Sequence, residues 1–326
     1  MGRVFNKKSM AVFAGLLGII IIGAFTITST QSNAAFDGYF GGYEAIKSIN
    51  LDDNYTASQG FHIHKNEAYY VKIANKGTAK AGKTRIWVYD LKSKTNKVVY
   101  NGDTNNVEFE LGHANCIYVN CGYMYIATQE SNKPSVCRYK IGTNGEKRYL
   151  YDREDYTVYS DMANTKISAV TGINFAAELG GFLLKNGNHV YLGNFEGNKF
   201  IWTKHFTFNN NITIQTNNST ETINTNDFTK QGMFYKKGKI YMPMVKTNKQ
   251  NQSIVVVYDI STDTPNNSIL QEDSNTFIRI TSKEYGKLFE IEDVAYYNGQ
   301  MYANTNATYT RGGTNDMLIK IKDFTF

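Results

Sequence analysis

Hydrophobic and polar positions alternate in five short stretches of the chain, and each stretch follows one plan. An alternating apolar or aromatic run leads into a polar turn of Asn, Gly or Lys, and a second run ends in Tyr. Such alternation predicts strands with one buried face, and the turn residues supply the positive φ of a tight hairpin. The stretches are Gly60–Tyr70, His113–Tyr125, Gly181–Tyr191, Gly232–Tyr241 and Asp293–Tyr302.

An all-strand unit repeated in this way predicts an all-β chain folded as a five-bladed β-propeller, with one repeat in each blade. The last repeat reaches Phe326 after only three predicted strands, and residues 36–51 have no blade of their own. We expect this N-terminal segment to supply the missing outer strand and so close the ring, which removes two unpaired strand edges. The predicted blades span residues 58–103, 112–152, 168–207, 230–281 and 290–326.

The third repeat allows two registers. If its hairpin at Gly181–Tyr191 is innermost, the spacing between repeats is uneven; if Thr171–Phe175 is innermost, the spacing becomes regular. We prefer the second register, in which Gly181–Lys185 is the second strand and His189–Phe195 the third. The polar segment Asn209–Asp227 is low in complexity and is predicted to be a long loop.

The first 34 residues have the features of a signal peptide. Arg3, Lys7 and Lys8 precede an uncharged apolar run of 18 residues, Met10–Ile27, and small residues favour cleavage between Ala34 and Ala35. The alternative is an uncleaved membrane anchor, because 18 residues approach the lower limit for a span. Residues 35–326 are then a single propeller domain, which we expect to be secreted and extracellular.

Composition and charge narrow the function further. Tyr (24) and Phe (19) far outnumber Trp (2) and Pro (3), as is typical of strands joined by polar turns. Cleavage would lower the net charge from +6 to +3, because the leader holds three cations and no acid, and this argues against nucleic acid as a partner. Cys116 and Cys121 lie at opposite ends of one predicted strand, so they and Cys137 are predicted to be free thiols.

The regular register places a polar residue at the head of every innermost strand. In a propeller these strands line the central channel, so the polar residues would form a ring at one mouth. Such a ring suits a sugar or polyol, or a structural cation near the acidic members; the alternative is that the side chains merely bond one another. The predicted ligand-binding residues are Gln59, His113, Asn115, Thr171, Gln231, Glu292 and Asp293.

The acidic run at residues 290–293 leaves an enzymatic alternative open. A glycoside hydrolase needs two carboxylates placed on either side of the scissile bond; no other repeat clearly supplies an opposing acid, and Glu178 and Asp103 are possible partners. We find no nucleophile elbow, phosphate-binding loop or zinc-protease motif. The chain is therefore expected to act by binding, with a carbohydrate-active glycoside hydrolase or lyase as the alternative.

The segments at the strand heads resemble the helveticin J type of large secreted bacteriocins. This resemblance implies a heat-labile antibacterial protein, or a surface-binding propeller that shares the fold without killing. The polar insert and the cysteines do not follow the pattern of that family, and no catalytic residue is carried over. The similar segments are Gln59-Gly60, His113-Ala114-Asn115 running into Tyr125–Thr128, Gln231-Gly232 with Ile240-Tyr241, and Glu290–Asp293.

These observations together predict a monomeric, secreted binding protein without a cofactor. Its expected partner is a bacterial cell-surface component or a polysaccharide, contacted through the mouth of the ring. A membrane would be involved only through the leader, if the leader stays uncleaved.

Overall fold

Strands make up almost all of the regular structure in this chain. The computed structural model describes residues 42–50, 54–74, 82–129, 134–159, 166–167, 169–216 and 219–325, so the predicted leader lies outside the described residues. Two short 3-10 helices, Ala177–Leu179 and Thr225–Asp227, are the helical segments within these ranges. No helix in the described ranges has the length and apolar character needed to cross a bilayer. The fold is all-β.

The strands follow one another along the whole described chain. They are β1 (Tyr43–Ser48), β2 (Ala57–His64), β3 (Glu67–Ile73), β4 (Thr84–Asp90), β5 (Asn96–Asn101), β6 (Cys116–Asn120), β7 (Tyr123–Ala127), β8 (Val136–Asn144), β9 (Lys147–Val158), β10 (Gly172–Ala176), β11 (Gly181–Asn186), β12 (His189–Glu196), β13 (Lys199–Phe208), β14 (Asn211–Gln215), β15 (Thr220–Asn224), β16 (Phe228–Lys230), β17 (Phe234–Lys236), β18 (Lys239–Lys246), β19 (Gln252–Asp259), β20 (Ser268–Leu270), β21 (Glu272–Thr281), β22 (Leu288–Tyr297), β23 (Gln300–Thr308) and β24 (Met317–Thr325).

Antiparallel pairing gathers most of these strands into five consecutive groups. The first three groups are β2–β5, β6–β9 and β10–β13. The fourth contains β16 and β17, which pair with β18, followed by β19 and β21, and the fifth contains β22, β23, β24 and β1. In the third group β10 is the first strand and pairs with β11, as the preferred register predicts.

One strand of each group contacts a strand of the next group, so that these five strands form a cycle. We call β2, β6, β10, β17 and β22 the inner strands. Each contacts the next along the chain, and β22 contacts β2 again. Backbone hydrogen bonds join neighbouring members: the Gly60 N–H donates to the Ala114 carbonyl at 2.9 Å, and the Gly232 N–H donates to the Glu292 carbonyl at 2.8 Å. A Cβ on Gly60 would lie 2.6 Å from the same Ala114 oxygen, so only glycine allows this approach.

Five apolar clusters fill the spaces between consecutive groups. One cluster combines Tyr69 and Val71 of the first group with Met124 and Ile126 of the second. Three more link the second group to the third, the third to the fourth and the fourth to the fifth. The remaining cluster places Trp87 of the first group in the same core as side chains of the fifth. Each group is therefore covered on both faces.

The N-terminal strand completes the last group. β1 pairs antiparallel with β24, with Tyr43 opposite Ile321 and Ser48 opposite Met317. Ile49, directly after β1, is buried in the cluster between the fifth and first groups. Lys72 of β3 and Asp316, just before β24, form an ion pair of 3.0 Å whose side chains are 1% and 0% exposed. A buried charge pair therefore joins the first group to the last strand of the chain.

The polar insert differs from the predicted loop. β14 (Asn211–Gln215) and β15 (Thr220–Asn224) pair antiparallel, with Ile212 opposite Ile223. Ile212, Ile214 and Ile223 are buried in the cluster between the third and fourth groups, while the intervening Asn and Thr side chains are more exposed. The prediction was wrong because abundant Asn and Thr masked the alternation of three isoleucines, which is the signal of a strand with one buried face.

Removing the negative partner of the buried ion pair should strongly destabilise the fold. Asp316→Asn leaves the Lys72 charge buried without its counter-charge, so we expect the free energy of unfolding to fall by about 3–5 kcal/mol in urea titrations. Adding Lys72→Met should recover much of this loss, since the introduced amide oxygen can still accept the Ala307 N–H, as the Asp316 carboxylate does at 3.0 Å. Lys140→Met breaks an exposed pair with Asp152 and serves as the control. An Asp316→Asn variant as stable as this control would contradict the prediction.

Candidate ligand-binding site

Most of the predicted ring residues are buried at the heads of the inner strands. His113 is the exception: its side chain is exposed, and its backbone N–H donates to the Thr128 carbonyl at 3.1 Å. The exposed fractions of the other six are 8% for Gln59, 5% for Asn115, 7% for Thr171, 6% for Gln231, 2% for Glu292 and 1% for Asp293.

A chain of side-chain hydrogen bonds connects three of the strand heads. Asn115 Nδ2 lies 3.4 Å from Gln231 Oε1, to which it donates. Gln231 Nε2 in turn donates to Glu290 Oε1, and Glu290 bonds to the side chain of Glu292. The structure thus brings together Asn115, Gln231 and Glu292, and it adds Glu290, which the sequence analysis placed in the acidic run but not in the ring. We call Asn115, Thr171, Gln231, Glu290 and Glu292 the strand-head site.

The two glutamates of the site, Glu290 and Glu292, both have raised pKa values. Burial and the neighbouring Glu290 carboxyl raise the pKa of Glu292 well above its ordinary value. Burial also raises the pKa of Glu290, but hydrogen bonds from Glu292 and Gln231 oppose that rise. Two carboxyls in direct contact cannot both ionise cheaply, and the pKa is raised further at the more deeply buried Glu292 than at Glu290. Asn306, opposite Glu290 on β23, also bonds to both carboxyls.

Two buried polar atoms of the site have no hydrogen-bond partner within the described part of the chain. They are Asn115 Oδ1 and Thr171 Oγ1, on the approaches to the neighbouring strands β6 and β10. A buried polar atom left unpaired costs about 1–3 kcal/mol, so a folded protein usually pairs it with protein, water or ligand. The strand-head site therefore offers hydrogen-bonding capacity that the described residues do not use.

Asp293 is held by backbone groups instead. Its carboxylate accepts from the N–H groups of Val294 at 2.9 Å and Phe61 at 3.4 Å, and it also bonds to the thiol of Cys116. A Cβ at Gly232 would come within 2.4 Å of the Asp293 carboxyl carbon, so the glycine makes room for this side chain. Burial raises the pKa of Asp293 well above its ordinary value. These contacts give Asp293 a part in joining neighbouring inner strands.

Gln59 also contributes through its backbone. Its carbonyl oxygen accepts from Asn304 Nδ2, which additionally donates to Ser58 Oγ at 2.8 Å. The other polar atom of this amide, Asn304 Oδ1, accepts the Asp293 N–H at 3.1 Å. Asn304 therefore links β23, β2 and β22, which is a role the sequence analysis did not anticipate.

Sequence reasoning also missed Lys185, a fully buried lysine near the end of β11. Its ammonium group donates to the backbone carbonyl of Gln231, and burial lowers its pKa to about 8. Gly172 lies opposite Lys185 in the sheet, and a Cβ there would meet the lysine Cβ at 2.9 Å. The sequence signal for this packing is Gly172 at the head of β10. It lies opposite Lys185, the only cation in the apolar strand β11.

The remaining chemical candidates lie apart from the site. Glu178 accepts from the Tyr235 hydroxyl at 3.2 Å and follows the far end of β10, about 17 Å of strand from Thr171. Asp103, after the outer strand β5, accepts from the Asp152 N–H at 3.0 Å. Within the described ranges no three His, Cys, Asp or Glu side chains are placed to hold a metal ion. Cys116, Cys121 and Cys137 are free thiols, as predicted.

No protein-family model matches this sequence. No curated protein matches it either. The resemblance to helveticin J-type bacteriocins therefore stays a prediction.

Several solved structures are similar in chain path. The GH43 protein BlXynB from Bacillus licheniformis has a TM-score of 0.47 and 10% identity, with 82% of this chain and 53% of that chain covered. The GH43_1 enzyme from Xanthomonas citri, complexed with xylotriose, has a TM-score of 0.49, 8% identity and coverage of 85% and 89%. An exo-1,5-alpha-L-arabinanase from a bovine ruminal metagenomic library has a TM-score of 0.43, 10% identity and coverage of 83% and 95%. This chain spans about half of the Bacillus protein, and likenesses of this extent carry no argument about activity.

The protonated carboxyl of the site should make stability depend on pH. The raised pKa of Glu292 means that, above the ordinary carboxyl pKa, the folded state holds a proton that the unfolded state has released, so stability falls as pH rises. Glu292→Gln keeps a donor toward Glu290 but carries no such proton. We expect its free energy of unfolding, relative to the parent, to increase as pH rises above the ordinary carboxyl pKa, with a slope of at most about 1.4 kcal/mol per pH unit, as measured by urea titration at several pH values. Glu178→Gln, at an exposed carboxyl, is the control, and equal pH profiles for all three proteins would refute the proton assignment.

Proposed function

We propose that this chain is a secreted five-bladed β-propeller, closed by β1, that binds carbohydrate through the strand-head site. The closed cycle of inner strands and the five clusters between groups support the propeller. The pairing of β1 with β24 supports closure by the N-terminal strand. A site at the heads of the inner strands would open at one mouth of the channel.

The observation that carries the binding function is the pair of unpartnered buried acceptors. Asn115 Oδ1 belongs to the amide that donates to Gln231, and Thr171 Oγ1 lies directly before the neighbouring inner strand β10. A sugar presents several hydroxyl groups at close spacing and can pair such atoms simultaneously. Small-molecule sites typically combine a few convergent polar groups of this kind with a preformed scaffold.

The acidic run supports binding better than hydrolysis. Two carboxyls that hydrolyse a glycosidic bond stand about 5–5.5 Å apart in retaining enzymes and about 6.5–9.5 Å apart in inverting ones, because the bond lies between them. Glu290 and Glu292 bond to each other instead, and Glu178 and Asp103 engage other residues. A carbohydrate-active enzyme is the second candidate, favoured by the protonated state of Glu292, which is the state a general acid needs.

The partner we propose is a bacterial cell-surface component or a polysaccharide. If the purified protein inhibits the growth of Gram-positive strains, its role is bacteriocin-like, as the sequence resemblance implies. Release of reducing sugar from a bound polysaccharide would instead identify the enzymatic candidate. A glycan array with purified protein, including xylotriose and bacterial wall polymers, tests the binding common to both.

Thr171→Val should separate binding from folding. Valine keeps the volume of threonine but removes the unpartnered hydroxyl, so the melting temperature should stay unchanged or rise. Affinity for the array-selected glycan, measured by calorimetry, should fall roughly 5- to 150-fold, the equivalent of about 1–3 kcal/mol for a lost buried hydrogen bond.

Gln231→Ala should weaken binding to a similar degree, because it interrupts the network between Asn115 and Glu290. Thr104→Val, at an exposed turn position after β5, is the matched control and should bind like the parent. Unchanged affinity in both Thr171→Val and Gln231→Ala would move the binding surface away from the strand heads.

A further inference from the structure

The hydrogen bonds of the strand-head site run in one direction, and this direction restricts the ligand. We infer that the site accepts only sugars that donate hydrogen bonds to it, through hydroxyl or amino groups, and that it rejects sugars carrying a carboxylate, phosphate or sulfate at the contact position. This inference rests on the proposed carbohydrate-binding function and names the chemical class of the ligand.

The direction starts at Glu290. A side-chain amide has one donating and one accepting end, and Glu290 Oε1 accepts from the Gln231 side chain. Gln231 must therefore present its NH2 group to Glu290, and its carbonyl oxygen then faces Asn115. Asn115 must pair with that oxygen through its own NH2 group. Its Oδ1 consequently remains an acceptor, and this is the atom found without a partner among the described residues.

Neighbouring groups keep Glu290 in the accepting state. The buried Glu292 carboxyl, whose pKa burial raises well above its ordinary value, bonds to Glu290, and the Asn306 side chain adds a further hydrogen bond. Asp316, the next acid, is already paired with Lys72 at 3.0 Å. Lys185 fixes the backbone of Gln231 by donating to its carbonyl, so the amide cannot readily move out of the network. We call the Gln231 and Asn115 side-chain amides the relay. Both are oriented by the hydrogen bond that Gln231 donates to Glu290.

The open end of the relay then sets the ligand chemistry. Asn115 Oδ1 requires a donor, and the Thr171 hydroxyl can either accept or donate, so hydroxyl and amino groups fit both atoms. A carboxylate or phosphate brings only acceptors at the contact position and so leaves Asn115 Oδ1 unpaired. Sites built around a buried hydrogen bond reject analogues that lack the matching group far more strongly than apolar pockets reject a size change.

The first test compares sugars that differ in one group. Glucose-, glucosamine- and glucuronate-terminated glycans, together with the corresponding phosphorylated sugars, are measured by calorimetry against the parent protein. We expect the neutral or amino form to bind at least ten-fold more tightly than its anionic counterpart. If an anionic glycan binds as tightly as its neutral counterpart, or more tightly, and Thr171→Val loses this binding, the inference is overturned. The proposed function would still stand in that case. Failure of every glycan to bind would overturn both.

A second probe separates hydrogen-bond direction from charge repulsion. In a deoxyfluoro sugar, fluorine replaces one hydroxyl, which removes the donor without adding charge. The relay predicts that one deoxyfluoro position loses at least ten-fold in affinity, and that this loss persists at high salt, where repulsion between charges is screened. A complete deoxyfluoro series that binds like the parent sugar would refute the relay.

Glu290→Gln tests the origin of the direction. Glutamine can donate or accept, so the Gln231 and Asn115 amides become free to reverse, and Asn115 can then offer NH2 to the ligand. We expect the preference for the hydroxyl sugar over its deoxyfluoro analogue to fall about ten-fold in this variant, whatever happens to the absolute affinity. Glu178→Gln, at the far end of β10, should keep the parent preference. An unchanged preference in Glu290→Gln would show that the relay does not select the ligand.

Discussion

Each of the five groups of strands in this chain has two apolar faces, and only its two neighbouring groups can cover them. In β3 the side chains alternate, so Tyr69 and Val71 enter the cluster shared with the second group while Tyr70 enters the cluster shared with the fifth. Apolar burial contributes about 25 cal/mol per Å2, so a group with an open face would lose a large part of its stabilisation. A linear row of such groups would leave two faces exposed to water. The cycle of contacts follows from this constraint.

Bringing the inner strands together leaves buried polar groups that must be paired. Glycines solve part of the problem: Gly60 lets two backbones meet, whereas Gly172 and Gly232 accommodate the side chains of Lys185 and Asp293. The side chains of Lys185 and Asp293 then bond to backbone groups of neighbouring groups of strands, the carbonyl of Gln231 and the N–H of Phe61. At the strand heads, Asn115 Oδ1 and Thr171 Oγ1 have no hydrogen-bond partner among the described residues. The binding capacity that we propose thus arises where the packing of the inner strands ends.

The sequence revealed much of the fold because strand alternation and turn residues act locally. The hairpins, the register of the third group and the segment that supplies β1 all follow from such local signals. Lys185 and Glu290 were missed because their roles depend on partners in other groups, such as the Gln231 carbonyl and amide. The strand pair β14–β15 was missed for a different reason: its three buried isoleucines are outnumbered by Asn and Thr. Polar residues at strand heads could be predicted; the direction of their hydrogen bonds required the structure.

The pairing of β1 with β24 has a consequence for how the chain reaches its native state. β1 is synthesised before all the other described strands, and its partner is the last of them to be made. During synthesis β1 therefore has no native edge to join, and the first group lacks the neighbour that covers its second face. Contacts between such distant parts of a chain are slow to form because a large loop must close first. The complete set of native contacts can form only after β24 has emerged, so any earlier intermediate carries unpaired edges that favour association with other chains.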